Sequence, residues 1–150
     1  MAVWFGTSIR NIHIRRAAIQ KIAQSVLTHA GHPHGDLSLT LVGKTRMQTL
    51  NRQYRKKDYP TDVLAFPMAE VHNSCTPLLG DVIICLPIAL SQADHFGNSP
   101  NEEIVRLLIH GILHLLGYDH ERSLREARRM QKKEQTIFEH LHPIPRLIRS

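Results

Sequence analysis

Three histidines in the second half of the chain have the spacing of ligands for one metal ion. His110 and His114 are four residues apart, and Gly117 and His120 follow them. Residues four apart lie on one face of a helix, about 6 Å along its axis, so two imidazoles can converge on one cation. Gly117 can adopt the left-handed conformation that ends a helix and turns the chain back. The spacing predicts one zinc ion held by three nitrogens, with its fourth position open as in catalytic sites.

The alternative is that these histidines are packed side chains of an apolar helix. The chain has 11 histidines, so some close spacings arise by chance. The neighbouring positions are nearly all apolar, however, and burying two imidazoles there without partners would cost about 1–3 kcal/mol each. A bound metal ion removes that cost, and the sequence therefore favours the metal site.

The remaining histidines form weaker patterns. His29, His32 and His34 surround a glycine and a proline, which is typical of an exposed loop at a helix end. His140 and His142 lie where the last helix should end, and there they suit its C-terminal carbonyls better than a metal.

Composition predicts one soluble domain over residues 1–150. Hydrophobic residues make up 42% and charged residues 21% of the chain, and 19 basic against 13 acidic residues give a net charge of +6. This charge favours an anionic partner such as nucleic acid. We expect no membrane span, because no apolar run approaches about 20 residues, and the first residues do not resemble a signal peptide. Cys75 and Cys85 form no CxxC pair, so a reducing cytoplasm is the expected location.

Hydrophobic periodicity predicts four strands and five helices. The strands are expected at residues 2–5, 36–42, 62–66 and 81–86, with a loop over 68–79 between the last two, and the helices at 12–30, 45–55, 88–96, 100–117 and from 124 to about 142. The first two strands, joined by a helix, should be parallel, and the two strands around the loop antiparallel. The prediction is an α+β fold in which a small mixed sheet packs on helices.

Capping patterns and apolar stripes position the helices more closely. Ser99, Pro100 and Glu102 form a capping box before the helix that carries the histidines, and this helix is apolar nearly all round. It should therefore be the buried central helix. A second capping box is expected at residues 45–48. The helix that follows should bury Met47, Leu50 and Tyr54, and the last helix should bury Leu124, Ala127, Ile137, Phe138 and Leu141. The basic tail over 143–150 is expected to fray.

The histidine spacing resembles the metzincin protease pattern HExxHxxGxxH at every ligand position. The chain departs from that pattern at Gly111, where a protease has the glutamate that serves as general base. Glu103 is nearly two turns upstream of His110, and Asp119 and Glu121 flank the third ligand with no predicted direction. A zinc metalloprotease-like hydrolase is therefore an alternative function without its expected base.

Three motifs resemble the YbeY family of ribosomal-RNA maturation endoribonucleases. Residues 110–120, HGILHLLGYDH, match that family's HGxLHLxGYDH signature. Residues 51–67 resemble its NxxYRxxDxPTDVLSFP signature, except that Ala65 replaces the usual serine, and residues 79–84 are similar to its LGDIxI stretch. The motifs occur in family order and, with the elements between them, cover about residues 37–140.

The resemblance implies a zinc-dependent, single-strand-specific endoribonuclease that matures the 3′ end of small-subunit 16S ribosomal RNA and acts in ribosome quality control. It implies one zinc ion on His110, His114 and His120, although other divalent transition metals also suit histidines. It assigns a functional, catalytic role to Arg55. From its place among Arg52, Lys56 and Lys57 at a helix end, Arg55 alone would be only a solvated cation. The implied partners are single-stranded RNA and the ribosome or its small subunit.

The chemistry leaves two questions open. The attacking nucleophile is either water activated by the metal or the 2′-hydroxyl that RNA itself carries. The third possible function, besides nuclease and protease, is a ribosome-associated RNA-binding factor without activity, whose metal only holds the end of the helix.

Overall fold

The computed structural model describes residues 2–68 and 78–149. In this part of the chain the strands are β1 (Val3–Thr7), β2 (His13–Ile14), β3 (Asp36–Val42), β4 (Val63–Pro67), β5 (Leu78–Cys85) and β6 (Ile148–Arg149). The helices are α1 (Arg16–His29), α2 (Lys44–Arg55), α3 (Leu86–Phe96), α4 (Pro100–Leu115) and α5 (Leu124–His140). The predicted loop falls largely on residues 69–77, which lie outside the described residues, as does Cys75.

Four strands form a mixed sheet in the order β1-β3-β5-β4. β1 and β5 both run parallel to β3, whereas β4 pairs antiparallel with β5. The alternation in β3 has the expected result, because Leu37, Leu39 and Leu41 are buried on one face of the sheet. The predicted α+β class is therefore confirmed, together with the parallel first pair and the antiparallel pair around the loop.

Helix α4 lies at the centre of the fold. It begins with the predicted capping box, in which the Ser99 side chain accepts from the Glu102 backbone N–H and the Glu102 carboxylate accepts from the Ser99 backbone N–H. Ten of its 16 residues are buried, and it packs on β4, β5 and the helices α1, α3 and α5. Burial on this scale fixes the helix independently of any ligand, so the histidines extend from a rigid element.

The ends of the chain differ from the prediction. α1 begins at Arg16 rather than residue 12, because His13 and Ile14 form a strand that pairs with β6. The tail over 143–150 was expected to fray, but its described part is anchored. Leu147 is fully buried and its N–H donates to the Asn101 side chain at 2.8 Å. The apolar side chains near the tail provide the energy that orders it.

Three smaller expectations are wrong. α2 begins after Gly43 without a side-chain cap, so the capping box at residues 45–48 does not form. Tyr54 is 56% exposed and Leu124 is 67% exposed, although both were predicted to be buried. Both residues lie in the terminal turn of a helix, and Tyr54 packs only one side of its ring, against Phe66 of β4. Ile137, Phe138 and Leu141 are buried as predicted, Ala127 is partly buried, and Met130, which was not predicted, completes the buried stripe.

No helix in the described ranges combines the length and the apolar character that a membrane span requires. Cys85, at the end of β5, is a buried free thiol whose pKa is raised by burial.

Candidate metal centre and its cleft

The last turns of α4 bring the three predicted ligands together. His110 and His114 lie one turn apart, and their Nε2 atoms are 3.2 Å from each other. Gly117 has a φ of +97°, and the Tyr118 N–H donates back to the Leu113 carbonyl, which closes the turn after the helix. This turn places the ring of His120 at 5.2 Å and 5.1 Å, between centroids, from the rings of His110 and His114. The glycine break therefore acts as predicted.

The donor set fits a zinc ion. One ligand nitrogen from each histidine lies within 4.8 Å of the others. A tetrahedral zinc with Zn–N bonds of about 2.0–2.1 Å separates its nitrogens by about 3.3 Å, which is close to the His110–His114 separation. His120, on the loop after the helix, brings its ligand nitrogen to within 4.8 Å of the other two. Three imidazoles also suit other transition metals, so geometry alone does not select the element.

Glu134 orients the first of these rings. Its Oε1 lies 3.0 Å from Nδ1 of His110, and because a carboxylate can only accept, this contact selects the tautomer with the proton on Nδ1. The other ring nitrogen, Nε2, then carries the lone pair and faces the other two imidazoles. A carboxylate bonded to a histidine in this way fixes the tautomer and increases the basicity of the ligand nitrogen.

His114 is held in its neutral form by its surroundings. Burial lowers the pKa of His114, and the neighbouring rings of His110 and His120 lower it further. A neutral imidazole is the form that binds a metal.

Gly111 lies where the protease pattern has its general base, and packing explains the glycine. A Cβ atom at this position would be 2.8 Å from Cγ1 of Val82 on β5, closer than real Cβ atoms come to a neighbour. A side chain at position 111 would therefore force Val82 or the helix to shift, and a glutamate there would be accommodated only at a cost in packing.

The three histidines open into a cleft of about 590 Å³. One wall is β4 and the segment before it, and the other is the end of α4 with the loop that follows. Arg55 lines this cleft from the last turn of α2. Its Nη2 donates to the Ala65 carbonyl at 2.9 Å, and its guanidinium carbon lies 5.2 Å from the centroid of the Phe66 ring. The predicted ligands and the predicted arginine thus share one cavity.

Several cleft residues have no signal in the motifs. Lys57, Tyr59 and Arg122 also line the cleft. Lys57 follows the end of α2 and lines the cleft, whereas its neighbour Lys56 does not. Asn51, nearly fully buried, donates to the Tyr59 carbonyl at 2.8 Å and so holds the loop that carries these residues.

The other histidines lie away from this centre. His29, His32 and His34 are exposed, as expected. Nδ1 of His140 bonds the Thr136 carbonyl at 2.7 Å and Nδ1 of His142 bonds the Phe138 carbonyl at 2.8 Å, which confirms that they cap the end of α5. Among the described residues, only His110, His114 and His120 form a group that could hold a metal ion.

Comparison with known proteins agrees with the resemblance. The family described as "Endoribonuclease YbeY" matches residues 7–142. Proteins named endoribonuclease YbeY from Persephonella marina and Aquifex aeolicus are 45% and 41% identical, each over 85% of this chain and 84% and 85% of their own. One from Acinetobacter baumannii is 36% identical over 87% of this chain and 86% of its own.

A solved structure shares the architecture. A solution structure of a Thermotoga maritima protein covers 93% of this chain and 88% of its own, with a TM-score of 0.65 and 26% identity. The sequence matches extend across the histidine helix, the cleft and most of the core, and on these grounds the chain belongs to the endoribonuclease YbeY family.

Proposed function

We propose that this protein is a zinc-dependent endoribonuclease that cleaves single-stranded RNA in the cleft of His110, His114 and His120. The observation that carries the proposal is the placement of three imidazoles, open to solvent on one side, and one guanidinium in the same cavity. The relatives' name, endoribonuclease, supplies the reaction class. We further propose that its substrate is ribosomal RNA, namely the 3′ end of the small-subunit RNA, and that it acts in ribosome quality control in the cytoplasm.

The chain's own residues provide positioning and charge. A bound zinc ion would supply a Lewis acid toward a phosphoryl oxygen. Arg55 uses one nitrogen to hold the Ala65 carbonyl, which leaves its other donors free for a phosphate. Its positive charge would stabilise the additional negative charge of the transition state. Glu134 holds the ring of His110 in the tautomer that keeps Nε2 available.

The cleft suits one strand of RNA better than a duplex. Its volume is in the range of pockets that hold small molecules, so it accommodates a nucleotide or two rather than a double helix. Tyr59 at its wall is 53% exposed and presents an aromatic surface on which an unpaired base can stack.

The protease alternative loses support at Gly111. Peptide hydrolysis in the metzincin manner uses a glutamate at this position, and glycine cannot take a proton from water. A larger side chain here would also have to displace Val82. RNA carries its own nucleophile in the 2′-hydroxyl, so its cleavage needs a proton acceptor but no bound nucleophilic water, which favours RNA over a peptide.

The test is cleavage of an unpaired ribosomal-RNA fragment by wild type and three variants purified identically. We expect His114→Ala to lose both zinc and cleavage, and Arg55→Glu to keep zinc and lose cleavage. Arg46→Glu is the matched control, since Arg46 is exposed on the same helix and does not line the cleft. It should cleave at the wild-type rate.

Each outcome has a distinct meaning. Equal cleavage by all four proteins would indicate a contaminating nuclease and overturn the proposal. Normal cleavage by Arg55→Glu alone would remove the role assigned to the arginine. RNA binding without cleavage by the zinc-loaded wild type would favour the ribosome-associated binding factor.

A further inference from the structure

Helix α5 carries a continuous row of cations on its solvent side. Arg125, Arg128, Arg129, Lys132 and Lys133, here called the basic stripe, are spaced at i, i+3, i+4, i+7 and i+8. This spacing places the five within an arc of about 140° on one side of the helix, with Lys133 at the border of the buried stripe of Met130, Ile137 and Phe138. Lys133 is partly buried and the other four are exposed.

The basic stripe is unfavourable for the isolated helix. Like charges three or four residues apart destabilise a helix, and the stripe contains such pairs at 125–128, 125–129, 128–132, 129–132 and 129–133. Arg125 also lies in the first turn, where the positive end of the helix dipole favours acidic residues. Within residues 2–68 and 78–149, none of the five forms an ion pair that would offset this repulsion. A face that is only solvated usually mixes charges of both signs.

The basic stripe adjoins the cleft. The guanidinium of Arg129 lies over the ring of Tyr118, 4.9 Å from its centroid, and Tyr118 lines the cleft. Arg122, which also lines the cleft, precedes the stripe by three residues. From residue 125 to residue 133 the helix rises about 12 Å. A polyanionic strand that leaves the cleft past Arg122 and Tyr118 therefore meets the stripe next.

We propose that the basic stripe binds the phosphate backbone of the RNA strand outside the cleft, over about three or four nucleotides. This inference rests on the proposed endoribonuclease function and extends its substrate site. RNA provides a row of negative charges, and the repulsion within the stripe is relieved when phosphates lie along it. The stripe gives affinity for longer RNA without reading its sequence, because contacts to phosphates carry no base information.

The test removes three stripe charges and compares the effect with an equal loss elsewhere. The stripe variant is Arg125→Gln, Arg128→Gln and Lys132→Gln, which spares Arg129 and its contact with Tyr118. The control variant is Arg10→Gln, Lys21→Gln and Arg46→Gln, three exposed cations that do not line the cleft. Each variant lowers the net charge from +6 to +3, so a general effect of charge would act on both equally.

The first measurement is binding of a 20-nucleotide unpaired RNA as a function of salt. Each phosphate contact contributes about 0.7 to the slope of log K against log salt for single strands, so the stripe variant should lose about 2 from the slope. A fourfold rise in salt should lower the RNA affinity of both proteins, and the loss should be about 15-fold smaller for the stripe variant than for wild type. An unchanged slope, or an equal change in the control variant, would overturn the proposal.

Two further measurements separate this inference from its premise. The ratio of kcat/KM for the 20-nucleotide RNA to that for a four-nucleotide RNA should fall in the stripe variant and not in the control. The Tm of the stripe variant should rise, because the repulsion along the helix is removed. A lower Tm would indicate that the stripe has a structural role instead. If wild type cleaves neither RNA, the proposed function fails, and the salt slope still decides whether the stripe binds RNA.

Discussion

Glu134 should control how tightly the centre holds its metal, because it is the carboxylate bonded to His110. The carboxylate oxygen lies 3.0 Å from Nδ1 of the histidine, and the two side chains are 31% and 28% exposed. A hydrogen bond to a charged group contributes about 1.5–3 kcal/mol when buried, and partial exposure reduces this to about 1–2 kcal/mol here. Glu134→Ala should therefore raise the Kd for zinc about tenfold, within the range known for such outer carboxylates.

Glu134→Gln separates geometry from charge. The amide oxygen can accept the same hydrogen bond and hold the ring of His110, but without the negative charge the bond has about half its strength. We expect a loss of zinc affinity of about threefold, between wild type and Glu134→Ala. Glu139→Ala is the matched control, because Glu139 is exposed on the same helix and bonds only Gln135 among the described residues. It should bind zinc like wild type.

The assay is competition for zinc against a chromophoric chelator near neutral pH, with Co²⁺ absorption as a second signal for ligand geometry. The Tm of each metal-free protein shows whether the variants fold. Wild-type zinc affinity in a folded Glu134→Ala protein would refute the argument, because the hydrogen bond to His110 would then contribute nothing to the metal. Equal losses in the alanine and glutamine variants would show instead that charge matters and orientation does not.

Four other outcomes follow from the packing. Gly111→Ala should destabilise the protein by about 1–3 kcal/mol, because the new methyl group meets Val82. In the double variant with Val82→Ala the total loss should be smaller than the sum of the two single losses, as measured by unfolding in urea. Leu147→Ala should cost about 2–5 kcal/mol, so a loss below 1 kcal/mol would mean that the tail frays after all. Burial raises the pKa of Glu103, so the free energy of unfolding falls as pH rises above 4.5, the pKa of a glutamate in the unfolded chain. Glu103→Gln removes this ionisation, so its Tm should increase relative to that of wild type between acid and neutral pH. Chelation of zinc should leave the helical circular dichroism signal unchanged, since α4 is buried without the metal. Loss of that signal would identify a structural metal.

The local parts of the site could be predicted from sequence because they depend on helical spacing and one turn. His110 and His114 are on one helix, and the positive φ of Gly117 is a property of that residue alone. The burial of α4 followed from its apolar composition in the same way. β3 and the helices that begin at Pro100 and Leu124 were therefore predicted nearly at their observed bounds, whereas α1 begins four residues later and β5 three residues earlier than predicted.

The parts that were missed depend on contacts between distant segments. β2 and β6 pair His13 with Arg149, and neither strand has more than two residues, so no periodicity reveals them. Glu134 had a signal that went unused, because it interrupts the apolar stripe of α5 between Met130 and Ile137. An acidic residue in a buried stripe needs a partner, and only the fold shows that this partner is His110.

The close contact between α4 and the sheet links the fold to the choice of substrate. Gly111 packs closely on Val82 and carries no side chain, so a metzincin-like ligand set here lacks the base that a peptide substrate needs. The same cleft gains Arg55, whose guanidinium suits a phosphate, and an RNA substrate supplies a nucleophile of its own. A 2′-hydroxyl removes the need to bind and orient a nucleophilic water, but its own proton must still pass to a base, so it does not replace the glutamate. Without that glutamate the ligand set is poorly equipped for peptide hydrolysis in the metzincin manner, whereas Arg55 in the same cleft suits a phosphate.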